Sequence, residues 1–273
     1  MPYLTLPVFD TARTFHGQVF KLKEHIDRLY MSCHYMRLDP GMAKDRIETV
    51  ALEVLEENLP LLGPEDDYWV TLRVSRGLDG STGSTVIVEC TPLPFEGRAK
   101  YYRDGIPVII PSIRRTPPES QSPRAKTHNY INLILGDLEV KAINPDAWAL
   151  LLDTYGNLAE GMGSNVFIVQ DGVLKTPNER FVLGGISRDV VIELARELGI
   201  EVIEKDMDLY DAYNADEVFL TSTSLCVCPV SSINGAPVGN GSVPGPLSSR
   251  LLGAYSGIVG MDIAGQYLSR LNK

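Results

Sequence analysis

A polar, proline-rich segment from Arg114 to Arg124, RRTPPESQSPR, constrains the fold more than any other stretch of this sequence. Clusters of proline with serine and charged residues are typical of loops between structured segments. A chain of 273 residues is longer than most single domains and long enough for two modest ones. We therefore expect a small α/β domain over 1–114, a linker over 115–124 and a large domain over 125–273.

The two sides of this linker differ in their apolar periodicity. Before it, helical spacing predicts two helices and β-rich runs predict three strands: VFKLKEHIDRLYMSCHYMRL and MAKDRIETVALEVLEENL, then YWVTLRVS, STVIVEC and GIPVIIPS. After it, helices are predicted following Lys126, at SRDVVIELARELG and at GPLSSRLLGAYSGIVGM, but strands predominate: AWALLLD, SNVFIVQ, GVLKT, IEVIEKD and ADEVFLTSTSLCVCPVSSING. We expect an α+β fold whose large domain contains a barrel-like sheet with flanking helices.

Charge and hydrophobicity argue against several classes of function. Hydrophobic residues make up 44% and charged residues 22% of the chain, as in a globular protein with a core. The net charge of -10 argues against a surface that follows nucleic-acid phosphates, although a few local cations could still hold a small anion. The sequence has neither an apolar run long enough for a bilayer nor a secretory signal, so we expect a cytoplasmic protein without a membrane partner.

Cysteines and histidines give no sign of a disulfide scaffold or a metal site. The cysteines are few and scattered, and we expect buried, reduced thiols: Cys33, Cys90, Cys226 and Cys228. The histidines lack HExxH or comparable ligand spacing: His16, His25, His34 and His128. A GxSxG nucleophile elbow is also missing from the sequence, which argues against a serine hydrolase.

Two adjacent glycines lead directly into an amphipathic helix in LGGISRDVVIELARELG. Gly184 and Gly185 allow close backbone approach, Ser187 is a suitable N-cap, and Gly199 can end the helix. Such a helix start offers free N–H groups and the positive end of the helix dipole, which favour a phosphate. A tight turn into a capped helix, without any ligand, explains the same pattern.

Other polar residues indicate chemistry only in combination. Glu160 stands beside Gly161 and Gly163, where a carboxylate can lie against a ligand, although a solvated turn glutamate gives the same pattern. The four hydroxyls of 221–224 follow an apolar strand and could bind phosphate or complete a sheet edge. Taken alone, Arg28 and Lys126 are ordinary surface cations.

Six segments in order resemble the class IV pyridoxal-phosphate aminotransferases, the fold-type IV family: VFDTARTFHGQVFKLKEHIDRL, VSRG, KTHNY, AEGMGSNVF, LGGISRD and DEVFLTST. The family includes branched-chain amino acid aminotransferases, D-amino acid aminotransferases, aminodeoxychorismate lyases and (R)-amine transaminases. The resemblance is closest to the branched-chain enzymes. It implies two domains with pyridoxal 5′-phosphate bound at their interface.

The resemblance also implies a role for each candidate residue. Lys126 would be the catalytic Schiff-base lysine and would move a proton between substrate and cofactor. Glu160 would keep the pyridine nitrogen protonated, and Tyr130, one helical step after Lys126, would contact the phenolic oxygen. The remaining cofactor-binding residues would surround the phosphate: Arg28, Gly185, Ile186, Ser187, Ser222 and Thr223.

Three departures from the family pattern affect the expected substrate pocket. The family normally has a longer segment before VFDTAR, so we expect a more open pocket here. LGGIS replaces the usual Leu-Pro-Gly-Ile-Thr but keeps its donors. YWVTLRVSRG does not place an arginine where branched-chain enzymes commonly have one, so the expected substrate contacts are Arg73, Arg76 and Ser224.

These implications together predict a homodimeric aminotransferase. It would move an amino group between a branched-chain or other hydrophobic amino acid and a 2-oxo acid such as 2-oxoglutarate. The loop at 77–83 would lie near the site of the partner subunit. Within the same fold the alternative substrates are D-amino acids or (R)-amines. From a different class, the alternative is a protein that binds pyridoxal phosphate with little catalysis.

Overall fold

The computed structural model describes residues 7–63, 65–77 and 83–271. They form two compact units: an N-terminal unit of Met1–Leu93 with Ala125–Tyr130, and a C-terminal unit of Pro94–Arg124 with Ile131–Lys273. The predicted α+β fold, with a small N-terminal part and a larger β-rich part, is confirmed. Most of the loop expected at 77–83 falls on 78–82, which lie outside the described residues.

The N-terminal unit is a small antiparallel sheet covered by two helices. The sheet has the strand order β2-β1-β3-β4. Its described elements are β1 Val8–Phe15, β2 Gln18–Val19, α1 Leu22–Tyr35, α2 Lys44–Asn58, a short 3-10 turn at Leu59–Leu61, β3 Tyr68–Ser75 and β4 Thr85–Pro92.

Apolar faces of α1 and α2 form the core of this unit, as their periodicity predicts. The buried positions on the two helices and on β3 are Leu22, Ile26, Leu29, Cys33, Ile47, Ala51, Leu55, Val70, Leu72 and Val74. Full burial of one such leucine, isoleucine or valine side chain contributes ~1.5–3 kcal/mol. This core fixes β1 and α1, which carry the polar residues described below.

The C-terminal unit is built on a closed barrel. Its described strands are β5 Ile106–Ile109, β6 Trp148–Leu152, β7 Leu158–Gly161, β8 Ser164–Gln170, β9 Val173–Thr176, β10 Val202–Glu204, β11 Glu217–Ser222, β12 Cys226–Ile233 and β13 Ala236–Pro237. Because β7 pairs with both β6 and β8, the ring β5-β6-β7-β8-β11-β12 closes. The expected barrel-like sheet is confirmed.

Helices complete the C-terminal unit. Their bounds are α3 Phe95–Asp104, α4 Ile131–Ile143, α5 Ile186–Glu197, α6 Leu209–Tyr213, α7 Pro246–Val259 and α8 Ile263–Leu268. The predicted apolar stripe of α5 is buried at Val190, Val191, Leu194 and Ala195. As expected, Gly199 follows the end of α5 in the left-handed conformation (φ 71°). No helix among the described residues is long and apolar enough to cross a membrane.

The division into units differs from the boundaries expected at 114 and 125. β5 pairs with β6 and β12 of the barrel, and α3 packs on α8, so 94–114 belongs to the C-terminal unit. The segment Ala125–Tyr130 runs beside β1, where Val8 bridges Thr127, so it belongs to the N-terminal unit. Strand pairing with distant segments decides both assignments, and proline content does not report it.

Two local predictions were wrong. Ser187 is not the N-cap of α5: Gly185 is, and the first helical residue is Ile186. Tyr130 is not one helical step beyond Lys126, because Ala125–Tyr130 is extended or bent and α4 begins only at Ile131. The sequence pattern also missed α3, α6 and α8. Glu160 is not a solvated turn residue, because it lies buried within β7.

Candidate active site

The backbone around Lys126 is fixed within the N-terminal unit on two sides. Its N–H donates to Ser32 Oγ at 3.0 Å, and its carbonyl accepts from Phe9 N at 3.0 Å. The next residue, Thr127, forms an antiparallel bridge with Val8 of β1. An extended segment held between a helix and a strand presents its lysine side chain at a defined position.

Two aromatic rings surround the half-buried amine of Lys126. Its Nζ donates to Tyr130 Oη at 3.2 Å and lies 4.6 Å from the centroid of the Phe9 ring. The Phe9 and Tyr130 rings are themselves 5.5 Å apart. A lysine amine beside aromatic faces and a phenol suits reaction with a flat, aromatic aldehyde. The predicted proximity of Lys126 and Tyr130 is therefore present, although a helix does not produce it.

Arg28, predicted to hold a phosphate, is buried and bound to Asp10. Its Nε and Nη2 donate to the two carboxylate oxygens of Asp10 at 2.8 and 2.7 Å, and His25 Nδ1 lies 2.7 Å from Asp10 Oδ1. Burial alone would raise the pKa of Asp10, but Arg28 and His25 hold that pKa well below its usual range. Arg28 therefore neutralises a buried carboxylate, a role that its helical position did not indicate.

His25 completes this buried group. Desolvation lowers the pKa of His25 from its ordinary 6.5, and the cations Arg28 and Lys126 lower it further, while the bond to Asp10 opposes the shift. At neutral pH the imidazole is therefore uncharged and the group consists of one anion and one cation. We call Asp10, His25 and Arg28 the buried triad.

The two candidate substrate arginines on and after β3 have different surroundings. Arg73 donates to Glu89 through Nε and Nη2, its Nη1 lies 3.0 Å from His128 Nε2, and its guanidinium carbon lies 5.9 Å from the Phe9 centroid. Arg76 instead bonds the carbonyl of Arg37. Of the two, Arg73 is thus the one that contacts residues next to Lys126.

In the C-terminal unit, Glu160 is a buried carboxylate with two donors. Its Oε1 accepts from Arg115 Nε at 2.6 Å, and its Oε2 accepts from the backbone N–H of Leu183 at 2.9 Å. Charge-assisted bonds of this kind fix the direction of a buried carboxylate. The proposed pyridine partner requires a carboxylate fixed in this way. Arg115 was assigned to the linker and was missed as a site residue.

Strand register links this carboxylate to the predicted phosphate seat. Glu160 on β7 is opposite Asn165 on β8, and Asn165 is opposite Thr221 on β11. Asn165 Nδ2 also donates to the Leu183 carbonyl at 2.9 Å. Leu183 is thereby held by Glu160 through its N–H and by Asn165 through its C=O, so the residues leading into α5 lie against this row.

The start of α5 has little space for a side chain. A Cβ on Gly185 would lie 2.0 Å from the amide oxygen of Asn165, so any larger residue would have to displace that side chain. The first N–H groups of a helix have no intrahelical acceptor, and those of Ile186 and Ser187 are in this position. Together with the dipole of the twelve-residue helix, they form an anion-binding end next to Asn165.

The hydroxyl cluster lies where β11 ends, in the strand beside Asn165. Ser222 Oγ and Ser224 Oγ are 3.3 Å apart, Arg98 donates to Ser224 Oγ, and Tyr267 Oη donates to the Ser224 carbonyl at 2.7 Å. Within the described part of the chain, the buried Oγ1 of Thr221 has no hydrogen-bond partner. A buried hydroxyl without a partner costs ~1–3 kcal/mol, which a ligand atom or water could offset.

Each unit has groups that suit one part of pyridoxal phosphate. The N-terminal unit supplies an amine with aromatic neighbours. The C-terminal unit supplies a fixed carboxylate, a helix start lacking side-chain bulk at Gly185, and a turn rich in hydroxyls with one unsatisfied at Thr221. Residues that the sequence missed fix these groups in place, and their partners are distant in sequence: Phe9, Asp10, Ser32, Arg115 and Asn165.

Comparison with known proteins supports the family resemblance. A family model described as amino-transferase class IV matches residues 7–233, a range that includes every candidate residue named above. A putative branched-chain-amino-acid aminotransferase of Methanocaldococcus jannaschii is 39% identical over 250 residues, covering 89% of this chain and 84% of the relative.

Solved structures resemble the chain over nearly its whole length. The branched-chain amino acid aminotransferase of Escherichia coli has a TM-score of 0.85 at 30% identity and covers 93% of this chain and 86% of its own. A second branched-chain amino acid aminotransferase, from T.th. and complexed with N-(5′-phosphopyridoxyl)-L-glutamate, has a TM-score of 0.82 at 31% identity, with 93% and 85% covered.

Proposed function

The chain belongs to the class IV aminotransferases and is a pyridoxal-phosphate-dependent transaminase, and we propose that it moves an amino group between a branched-chain or other hydrophobic amino acid and a 2-oxo acid such as 2-oxoglutarate. The observation that carries the proposal is the amine of Lys126, half-buried between Phe9 and Tyr130 on a segment whose backbone is fixed at both sides. The names of the relatives support the branched-chain donor. The phosphopyridoxyl-glutamate bound to the T.th. enzyme supports 2-oxoglutarate, the oxo acid that corresponds to glutamate, as the acceptor.

Lys126 is the proposed attachment point of the cofactor and the catalytic acid-base group. Bound pyridoxal phosphate supplies an electron sink that stabilises negative charge at the substrate Cα. The Lys126 amine would take the proton from the substrate Cα and deliver it to C4′ of the cofactor, a role worth ~10²- to 10⁴-fold in rate for general acid-base groups. The Tyr130 hydroxyl, 3.2 Å from Nζ, orients the amine between these steps.

Glu160 is proposed to bind the protonated pyridine nitrogen. Its carboxylate is already fixed by Arg115 and by the Leu183 N–H, so little reorganisation is needed when the cation arrives. Neutral glutamine could not stabilise that positive charge. The bonds to Arg115 and Leu183 thus prepare Glu160 for the role that the family resemblance gives it.

The phosphate is proposed to bind at the helix start of the C-terminal unit. The N–H groups of Ile186 and Ser187 have no acceptor within the helix, and Gly185 has no side chain that would keep a phosphate away from them. Ser222 and Thr223 would add hydroxyl donors. Arg28 is proposed to add positive charge while it keeps Asp10 neutralised.

Arg73 is the arginine proposed to recognise a substrate carboxylate. Its contact with His128 and its position beside Phe9 support this role, whereas Arg76 bonds the carbonyl of Arg37. Ser224 is proposed to contact substrate from the C-terminal unit. A substrate carboxylate would compete with Glu89 for the Arg73 guanidinium.

A homodimer is also proposed. The outer face of α4 exposes apolar side chains that water disfavours, and a second copy of the chain would cover them: Ile131, Ile134, Leu135, Leu138 and Ile143. Light scattering should give a mass of two chains for the natural protein and of one chain for Leu138→Glu. A monomeric natural protein would contradict the proposal. A cytoplasmic location remains a proposal as well.

The test is a panel of amino donors added to the purified protein, which should be yellow with bound pyridoxal phosphate. L-Leucine and L-valine should bleach the cofactor absorbance, and 2-oxoglutarate should restore it. Bleaching by D-alanine or (R)-1-phenylethylamine alone would replace the branched-chain proposal with a D-amino acid or (R)-amine transaminase. A protein that stays yellow with every donor binds the cofactor without efficient catalysis, which would contradict the proposed function.

A further inference from the structure

A cavity of about 360 Å³ lies within the C-terminal unit, between α3, α4 and the start of β6. Arg98 and Tyr101 on α3 are three positions apart and therefore share a helix face. Asp137 and Lys141 on α4 share a face at a spacing of four. Trp148 opens β6 and completes the wall. The volume suits a small organic ligand.

The α3 side of the cavity combines aromatic rings with a cation. The Tyr101 and Trp148 rings meet edge to face, with centroids 5.8 Å apart and planes at 83°. The guanidinium carbon of Arg98 lies 5.5 Å from the Trp148 centroid. Such an arrangement holds the cation in place and leaves apolar ring surface for the body of a ligand.

The α4 side adds to the positive charge. Lys141 Nζ donates to the carbonyls of Pro145 and Ala147 at 3.0 and 2.8 Å, which fixes the ammonium while keeping its charge. Among the described lining residues, Arg98 and Lys141 outnumber the one carboxylate, Asp137. The cavity therefore favours an anion over a cation.

Burial makes an anionic ligand more favourable still. Desolvation lowers the pKa of Arg98, which means that part of the hydration of its cation is lost. The guanidinium nevertheless stays charged at neutral pH. A carboxylate can accept from its planar donors and offset the lost hydration, since charge-assisted bonds are about twice as strong as neutral ones.

We propose that this cavity binds a small carboxylate with an apolar body, with Arg98 as the carboxylate ligand and the Trp148 and Tyr101 rings beside the apolar part. The ligand is either a reacting amino or 2-oxo acid or a carboxylate that does not react. The proposal does not depend on which amino donor the enzyme uses.

Arg98 also connects the cavity to the hydroxyl cluster. Its Nη1 donates to Ser224 Oγ, which lies 3.3 Å from Ser222 Oγ. A carboxylate that draws the guanidinium towards the cavity would change this contact. Occupancy of the cavity should therefore alter the turn next to Thr223, one of the residues proposed to bind the cofactor phosphate.

Tryptophan fluorescence of the cofactor-bound protein tests the site. The chain has two tryptophans, so Trp69→Phe leaves Trp148 as the only one and as a reporter inside the cavity wall. The probe is 4-methylvalerate, and its amide is the uncharged control. We expect a saturable fluorescence change with the carboxylate only.

In the Trp69→Phe background, Arg98→Met should lower the affinity for 4-methylvalerate at least about tenfold. This is the smallest effect expected when a charge-assisted bond is lost. The matched control is Arg103→Met on the same helix, whose guanidinium is exposed and paired with Asp104, and it should bind as before. Should Arg98→Met fold poorly by circular dichroism, Arg98→Lys should give an intermediate affinity.

Three results would overturn the site: an unsaturable response, equal affinity in Arg98→Met, or equal binding of the amide. Competition kinetics then identify the source of the ligand. Competitive inhibition against the amino donor, with a raised donor KM in Arg98→Met, indicates a reacting substrate, and noncompetitive inhibition indicates a separate carboxylate. Both patterns support the site. Bleaching by donors on the same samples reports the proposed transaminase function independently.

Discussion

The two units hold their polar groups in different ways. In the N-terminal unit, side chains satisfy one another: the fully buried Asp10 carboxylate forms hydrogen bonds with Arg28 and His25. In the C-terminal unit, backbone groups do much of this work, since Leu183 N–H binds Glu160 and the start of α5 offers its own N–H groups. The first arrangement depends on residue identity, whereas the second depends on strand register and on the absence of a Cβ.

This difference predicts opposite sensitivities. Removing one partner from the buried triad leaves a charge in the interior, so stability should suffer first. Adding a methyl group at the start of α5 should leave most of the fold intact and disturb ligand binding first. The following variants test these two expectations, beginning with the largest effect.

Arg28→Ala should lower the free energy of unfolding by ~3–5 kcal/mol, because it leaves the buried Asp10 carboxylate without its bidentate partner. Urea unfolding measures the change. The matched control is Arg46→Ala, whose pair with Glu53 is more than half exposed, with side chains at 56% and 56%; exposed pairs contribute at most ~1 kcal/mol. An equal loss of unfolding free energy in the two variants would show that Arg28 does not stabilise the buried triad.

Glu160→Gln should retain the cofactor and reduce kcat by ~10²- to 10³-fold, the loss typical of one removed electrostatic contact to the reacting system. Glutamine offers only one acceptor oxygen to Arg115 and Leu183, so a thermal melt must accompany the kinetics. Glu201→Gln, at an exposed position, is the control. Unchanged kcat would remove Glu160 from the site.

Gly185→Ala should weaken cofactor binding by roughly tenfold, because the new methyl group must displace the Asn165 amide from the helix start and distort the phosphate seat. The affinity is measured by titrating pyridoxal phosphate into cofactor-free protein. Gly253→Ala in α7 is the control, since a Cβ there meets no atom within 4 Å. If Gly185→Ala binds pyridoxal phosphate as tightly as the natural protein, the phosphate binds elsewhere.

Lowering the pH should produce the smallest change in the free energy of unfolding, and this change should come from the N-terminal unit. The folded pKa values of His25 and Asp10 lie below their ordinary 6.5 and 3.8, so the unfolded chain binds more protons as the pH falls. The free energy of unfolding should therefore decrease as the pH drops below 6.5, and again below 3.8. Urea unfolding at pH 7.5 and 5.5 tests the first step, which His25→Gln should flatten. The same slope in the variant would exclude His25 as its source.

The contrast between the units also explains which features the sequence could predict. Lys126, Tyr130 and Glu160 stand in short motifs, and the helix face at Leu22 or Ile26 follows local periodicity. These features could therefore be predicted from the sequence. The Glu160–Asn165–Thr221 row depends on pairing among three strands. Arg115 looked like part of a polar linker because composition does not show that its side chain binds a buried carboxylate.

The boundaries of the two compact units differ from the expected domain boundaries for a similar reason. Proline-rich composition marks where regular structure stops, but pairing decides which unit a strand joins. β5 joins the barrel through β12, more than a hundred residues away, and Ala125–Tyr130 runs beside β1 near the N-terminus, also more than a hundred residues away. Non-local hydrogen bonds of this kind leave no trace in a window of a few residues.

Peptide mapping after borohydride reduction tests the central claim most directly. If Lys126 carries pyridoxal phosphate, reduction of the yellow protein should leave a phosphopyridoxyl group on the peptide that contains Lys126, and Lys126→Ala should remain unlabelled. Lys23→Ala, at an exposed position on α1, should be labelled as the natural protein is. A label on another lysine, or a protein that takes up no cofactor, would contradict this account.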